Sequence, residues 1–260
     1  MAVASLIGLV KRLLPGRVLD TARYVMHPER YAHFGPAFTY LKHGLATIHR
    51  SDFRDDKRFR AAYDGNLRDG RWNGSWGQAD PEWNMYIACW AATQATRIPG
   101  DFIECGVYRG GLSGTVMEYI GFARMHDRTY WLLDTFAGIP ADQIDDTVKH
   151  RHRYPDSFAE VTAVFASMPN VRIVRGPVPA TLPAVTSERI AFVSLDMNVA
   201  APERAAAEFL WPRMSPGAVM LIDDYGWHGH EAQKAEFDAF AAARGCDVLA
   251  LPTGQGLLIK

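Results

Sequence analysis

From residue 102 onward, short apolar runs alternate with longer stretches in which apolar positions return every three or four residues. The runs at 102–105, 130–133, 171–174, 190–195 and 218–222 are too short and too apolar for surface helices, and they predict strands buried on both faces. Between them, residues 112–125, 157–168, 202–214 and 231–244 have helix length and composition, with Pro202 suited to a first helical turn. Such alternation predicts βαβ units, and hence five parallel strands joined by helical crossovers. After the last helix come two apolar runs, 247–251 and 256–260, separated by Pro252, Thr253, Gly254 and Gln255. That spacing predicts a hairpin, so an antiparallel pair closes the sheet.

Upstream, residues 81–98 read as a helix leading into the first strand, with Trp83, Tyr86 and Trp90 at a helical spacing that suits a core face. The first 80 residues lack the alternating rhythm. Residues 5–14 carry an amphipathic pattern, read as a helix that packs on the body or on a partner subunit. It is not read as an export signal, because Lys11 and Arg12 follow the apolar run and no small-residue cleavage site is evident. It is also too short to span a bilayer, so no stable membrane insertion is expected. Residues 50–71 are dense in Arg and Asp and 71–77 in Gly, Asn and Trp, which suits either a solvated charged face or a cover over substrate. The expected organisation is a helical or irregular extension over 1–80, serving as lid or homo-oligomer contact, followed by an α/β domain over 81–260.

A chain of 260 residues buries enough surface to need no staple, and 48% hydrophobic against 22% charged residues excludes disordered and fibrous classes. The net charge of -1 provides no field to draw in nucleic acid. Cys89, Cys105 and Cys246 are widely separated, fit no zinc pattern and form an odd set, so the cytoplasm is the expected location.

The chemistry gathers at predicted strand ends. The first strand ends in Glu104-Cys-Gly106, and Gly110 and Gly111 open the helix that follows, so the backbone can turn tightly and approach a small ligand beside a helix N-terminus. Glu104 stands where dinucleotide binders carry their first glycine; its carboxylate repels a pyrophosphate and suits a cationic ligand, which argues against NAD. The second strand ends in Asp134, about 30 residues on, placed either to accept from a ribose diol or to cap a helix. Asp196 ends the fourth strand, and Asp223 and Asp224 end the fifth. In a parallel sheet these carboxylates share one edge, where they suit a hard cation such as Mg²⁺ unless the pair merely caps the next helix. His228 and His230 follow in the same loop as candidate acceptors of a substrate proton.

Taken in order, Glu104-Cys-Gly-Val-Tyr-Arg-Gly110, Leu133-Asp-Thr-Phe-Ala-Gly-Ile-Pro140, Leu195-Asp-Met197 and Ser215-Pro-Gly-Ala-Val-Met-Leu-Ile-Asp-Asp-Tyr-Gly226 resemble the macrocin O-methyltransferase family. The resemblance runs from about Pro81 to Lys260. It implies a Rossmann-like class I methyltransferase sheet with S-adenosylmethionine over the first two strand ends. On that footing Glu104, Gly106, Tyr108, Arg109, Gly110 and Ser113 adjoin the methionine and ribose side. Asp134, Thr135 and Phe136 hold ribose and adenine, Arg175 and Gly176 stand toward adenine, and Asp196, Asp223 and Asp224 match the metal positions. Asp196, His228 and His230 are then the candidate catalytic groups.

Two departures from the family pattern bear on the acceptor side. Ser194 stands where relatives often carry an acid, and Asn198-Val-Ala-Ala201 replaces a Tyr-Glu-Ser-Thr run. Val199 excludes the lysine base that related catechol-type enzymes place nearby. The closing Pro252-Thr-Gly-Gln-Gly-Leu257 recurs in bacterial relatives, and its residue types imply no chemistry of their own. The reaction implied is Mg²⁺-assisted transfer of a sulfonium methyl to a hydroxyl of a small molecule, a sugar or secondary metabolite of bacterial biosynthesis. The alternatives are a metal-independent methyltransferase acting on nitrogen or oxygen, and a nucleoside-binding or assembly subunit without turnover.

Overall fold

The computed structural model describes residues 38–68, 81–144 and 154–260. The amphipathic helix expected at 5–14 and the Gly-, Asn- and Trp-rich stretch at 71–77 lie outside the described residues. The chain divides into two units, Met1–Ser51 and Asp52–Lys260. In the first unit, within the stretch expected to be helical or irregular, the described part holds a strand pair: β1 (Tyr40–Lys42) runs antiparallel to β2 (Leu45–Thr47). His43 and Gly44 join them with φ of 47° and 74°, a sense of turn that follows the natural twist of a hairpin.

The second unit begins at Asp52, well before residue 81, and the described part of the charged stretch at 50–71 is largely helical. Asp56 caps a helix, its Oδ1 accepting from Phe59 N at 2.7 Å, and α1 (Lys57–Arg68) buries Phe59, Ala62 and Tyr63. Arg54 and Arg60 converge on the buried Glu82 at 2.9 and 2.5 Å, which fastens this segment to α2 (Glu82–Ala95). On α2 it is the small face of Met85, Ala88, Cys89, Ala92 and Ala95 that is buried. Trp83 and Tyr86 pack on Phe53, whereas Trp90, expected in the core, is 45% exposed.

The sheet has seven strands in the order β5-β4-β3-β6-β7-β9-β8. The parallel strands β3 (Asp101–Cys105), β4 (Tyr130–Asp134), β5 (Val171–Arg175), β6 (Ile190–Leu195) and β7 (Met214–Ile222) meet the expectation. So does the antiparallel closing pair β8 (Leu249–Ala250) and β9 (Gly256–Ile259). The crossover helices are α3 (Gly111–Ile120), α4 (Phe158–Phe165), α5 (Ala200–Leu210) and α6 (Glu231–Ala242).

Several boundaries shift for local reasons. Gly121, with φ of 69°, ends α3 before the expected residue 125. β7 starts four residues before the expected 218, since Met214 pairs with Ile190 and the ladder resumes at Val219 opposite Phe192. The intervening Ser215-Pro-Gly bulges out, which is where a strand tolerates proline.

One face of the sheet presents Ile103, Val193, Leu195, Met220 and Leu258 to Ala206 and Leu210 of α5 and Phe237 and Phe240 of α6. Off the opposite pleat, Phe102 meets Phe122, Tyr130 and Phe192 with ring centroids 5.4 to 5.8 Å apart. β6 is buried throughout, as its unbroken apolar run requires. The chain leaves β3 for β4 on one side and later returns to β6 on the other, so strand order reverses at β3 and a crevice opens at the carboxyl ends there. All three cysteines are free, and among the described residues no helix is long and apolar enough to cross a membrane.

Candidate active site

The crevice is shaped first by glycine. Gly106 follows β3 with φ of 90°, and a Cβ there would fall 1.8 Å from the backbone oxygen of Asp196. Only glycine lets the loop after β3 pass this close to the end of β6. Gly110 begins α3 with φ of 76°, and a Cβ on it would meet the Phe165 ring at 2.8 Å. Between them Tyr108 also takes a positive φ, 50°.

That turn is held from β4. Asp134 Oδ2 accepts from the amides of Val107 and Tyr108 at 2.6 and 2.8 Å, and its Oδ1 accepts from Phe136 N at 2.7 Å. The carboxylate predicted at a ribose thus ties the first two strand-end loops together. Thr135 Oγ1 donates to Gly138 O at 2.6 Å and so shapes the second loop. Phe136, predicted near adenine, is 1% exposed and packs on Phe158 at 5.6 Å. Gly176 N donates to the backbone oxygen of Asp134 at 2.9 Å. The half-exposed Arg175 pairs with Asp156 at 2.6 Å and lies 4.8 Å over Phe158, while Arg109 stands 3.4 Å from Glu160.

Glu104 lies at the floor of the turn, 1% exposed, with Ser113 Oγ donating to its Oε2 at 2.5 Å. Burial pushes its carboxyl up to about 8, against the Ser113 bond and with smaller contributions from Asp134 and Asp223. A cation placed beside it would restore ordinary ionisation.

Asp196, Asp223 and Asp224 gather along the next stretch of the same edge. Their position follows from the ladder: Asp196 N donates to Cys105 O at 2.9 Å, and Asp223 N donates to Leu195 O at 3.0 Å. Burial and then Asp223 hold the carboxyls of Asp196 and Asp224 well above the usual range, and Asp196 also feels Asp224. Tyr154 faces this edge; burial, Asp196 and Asp224 raise its phenol, and its ring stands edge-on to Tyr108 at 5.0 Å.

The donor chemistry suits a hard dication: Asp223 raises the proton affinity of both Asp196 and Asp224, and Asp224 Oδ2 is buried. Among the described residues, no group of three or more His, Cys, Asp and Glu side chains is placed to hold a metal ion.

The two histidines separate. The His228 side chain is 94% exposed and stands 3.2 Å from Glu231, away from the buried acidic groups. His230 is buried, with Nδ1 3.7 Å from Asp224 Oδ2 and hydrogen-bonded to Gln233 Oε1. Gln233 Nε2 donates to Glu203 Oε1 at 3.0 Å, and the same oxygen accepts from Met197 N at 2.8 Å. Burial pushes Glu203 up to about 7, against these two bonds. With its nitrogen turned to Glu203, Gln233 offers His230 only an oxygen, so Nδ1 carries the proton and Nε2 the lone pair.

Tyr154, Glu203, Gln233 and Gln255 are site neighbours that sequence reasoning missed. Gln255 Nε2 donates to Asp223 Oδ1 at 3.0 Å.

The family model of the macrocin O-methyltransferases matches residues 83–248, from α2 to the approach to β8. The chain belongs to the macrocin O-methyltransferase family. Within the family, it is 31% identical over 142 residues to mycinamicin III 3''-O-methyltransferase of Micromonospora griseorubida, covering 49% of this chain and 56% of that one. It is 32% identical over 149 residues to 8-demethyl-8-(2,3-dimethoxy-alpha-L-rhamnosyl)-tetracenomycin-C 4'-O-methyltransferase of Streptomyces olivaceus, covering 53% and 57%. The chain thus spans little more than half the length of the curated relatives it matches. Among solved structures, the O-methyltransferase NovP superposes with a TM-score of 0.59 at 21% identity, covering 68% of this chain and 79% of that one. At that identity the likeness shows the fold, the class I methyltransferase sheet that the macrocin family motifs imply.

Proposed function

We propose that this chain transfers a methyl group from S-adenosylmethionine to a hydroxyl of a small molecule, a sugar or a secondary metabolite such as the named relatives act on. The observation that carries the reading is the continuity of two half-sites along one crevice. The Glu104-to-Gly110 turn, locked by Asp134, adjoins the carboxylates of Asp196, Asp223 and Asp224. S-adenosylmethionine supplies an electrophilic methyl whose bond to sulfur breaks as a bond to the acceptor oxygen forms. Glu104 offers a buried carboxyl that ionises beside its cationic end, and the glycine turn admits it beside the N-terminus of α3. Asp134, Thr135, Phe136 and Gly176 shape the nucleoside side through the hydrogen bonds of their loops, and Arg175 through its pair with Asp156. The acceptor sits against the acidic edge under Tyr108 and Tyr154. His230 Nε2, its tautomer set by Gln233 and Glu203, takes the hydroxyl proton.

Mg²⁺ assistance is the finer part of the proposal. Asp196, Asp223 and Asp224 would hold the ion, which would lower the pKa of the acceptor hydroxyl. Because no set of three ligands is preassembled, binding has to re-aim at least one carboxylate. The second reading is metal-independent transfer, supported by a His230 whose ring is oriented by Gln233 and Glu203 with no ion between them.

Thermal unfolding with S-adenosylmethionine, S-adenosylhomocysteine or NAD, each with and without Mg²⁺, tests the reading. A ligand at about 100 times its dissociation constant adds roughly 2.7 kcal/mol. Stabilisation by the two sulfur compounds alone supports it, and a response to neither removes it. Turnover that survives chelation selects the metal-independent form.

A further inference from the structure

The turn joining β8 to β9 packs against the loop that carries Asp223 and Asp224. Gly226 N donates to Gly254 O at 2.7 Å. A Cβ on Gly254 would fall 2.6 Å from Trp227 Nε1, and one on Gly256 would fall 2.7 Å from the Tyr225 ring. Both glycines are there because the two loops touch backbone to ring. Gln255 lies between them, fully buried, and each polar atom of its amide is bonded. Oε1 accepts from Thr253 Oγ1 at 2.9 Å, while Nε2 donates to Asp223 Oδ1 at 3.0 Å and to the backbone oxygen of Asn84 at 3.4 Å. Asp223 Oδ1 and Asn84 O are both acceptors, so the amide has one orientation only. Asn84 Nδ2 returns a bond to Thr253 O at 3.3 Å and anchors the turn on α2.

We propose that Gln255 is a positioning residue for the methyl-transfer site, fixing the Asp223 carboxylate through a neutral amide that is itself anchored by Thr253 and α2. The role rests on the reading of this edge as the acceptor and metal side. Neutrality is the reason for the residue type. A lysine or arginine here would hold Asp223 equally well but would neutralise it and weaken its hold on a cation. An amide fixes the position and leaves the charge. Four of the six residues of Pro252-Thr-Gly-Gln-Gly-Leu257 thereby acquire a purpose, with two glycines for close approach, a threonine to orient the amide, and a glutamine to reach the carboxylate.

The test compares Gln255→Met, which keeps the volume without a donor, and Thr253→Val, which keeps the shape but frees the amide, with the wild-type chain. Three quantities are measured: the S-adenosylhomocysteine dissociation constant, the Mg²⁺ concentration giving half of the maximal thermal shift, and kcat with the KM of each substrate. Losing a hydrogen bond to a charged group predicts a ten- to hundredfold fall in kcat, or an equal rise in the Mg²⁺ midpoint, for Gln255→Met, on the order of the bond's worth. S-adenosylhomocysteine affinity and the KM for S-adenosylmethionine stay within about twofold, and Thr253→Val moves the same quantities by a smaller factor. A lower melting temperature with kcat and the Mg²⁺ midpoint unchanged in both variants overturns the proposal and leaves the methyltransferase reading intact. If Gln255→Met does not fold, Thr253→Val alone decides on the same terms. A wild-type chain that neither binds S-adenosylhomocysteine nor turns over removes the methyltransferase reading, and this role with it.

Discussion

Replacing Glu104 by Gln makes the sharpest electrostatic prediction. The side chain is buried at the floor of the β3 turn, and its carboxyl rises from 4.5 to about 8. The folded pKa lies above the unfolded one, so between these two values the native state binds a proton that the unfolded chain has released. Stability contributed by this group is complete below about pH 4.5, falls as pH rises and is lost above about pH 8. The shift is about 3.5 units, and at 1.36 kcal/mol per unit the ceiling is roughly 5 kcal/mol. Local relaxation and water entry reduce it, and about 2 to 5 kcal/mol is expected. The neutral amide of Glu104→Gln would keep the Ser113 bond and have nothing to titrate. Urea unfolding of both proteins from pH 5 to pH 9 measures the difference, in which the similarly raised Glu203 and Asp224 cancel and Asp196, which feels Glu104 only as its smallest cause, cancels in large part. The variant should equal or trail the wild type near pH 5 and exceed it by several kcal/mol near pH 9, on the order of that ceiling. The same substitution should weaken S-adenosylmethionine binding, because the charge that meets the ligand's cationic end is gone. A stability difference that stays flat with pH would refute the placement of Glu104 as a buried, desolvated acid.

Gly106→Ala should cost roughly 4 kcal/mol or more, since its methyl would overlap the Asp196 carbonyl in a backbone with positive φ; soluble protein with an unchanged melting temperature would contradict the close approach. Asp223→Asn and Asp224→Asn should each lower turnover and raise the Mg²⁺ requirement on the order of tenfold, read from kcat against Mg²⁺ concentration, and unchanged kinetics in both would remove the metal part of the proposal. Gln233→Met should lower kcat on the order of ten- to a hundredfold with the KM for S-adenosylmethionine steady, because His230 loses the partner that sets its tautomer. Full activity in that variant would exclude His230 as the proton acceptor.

What the sequence made legible follows from how local each cause is. The central parallel strands were readable because burial on both faces leaves a mainly apolar run, and β6 is buried from Ile190 to Leu195. Strand-end carboxylates were readable for the same reason, since a parallel sheet must deliver Asp134, Asp196 and Asp223 to one edge. α1 had a local signature too, with Asp56 as cap and Phe59, Ala62 and Tyr63 at helical spacing. It was hidden by arginines whose partner, Glu82, lies on another helix. The β1–β2 hairpin has three-residue strands, too short for alternation to register. His228 and His230 are alike in sequence and opposite in structure: Gly229, with φ of 93°, turns the chain between them, leaving one in solvent and the other buried beside Asp224. The buried amides were the least legible. A carboxylate or imidazole announces chemistry by its type, whereas Gln233 and Gln255 acquire theirs only from what they touch, Glu203 and His230 in one case and Asp223 in the other. Glu203 and Asp223 reach these amides from segments brought beside them only by the fold. The acidic edge is therefore written in the sequence as residue types, and the groups that aim it are written only in the fold.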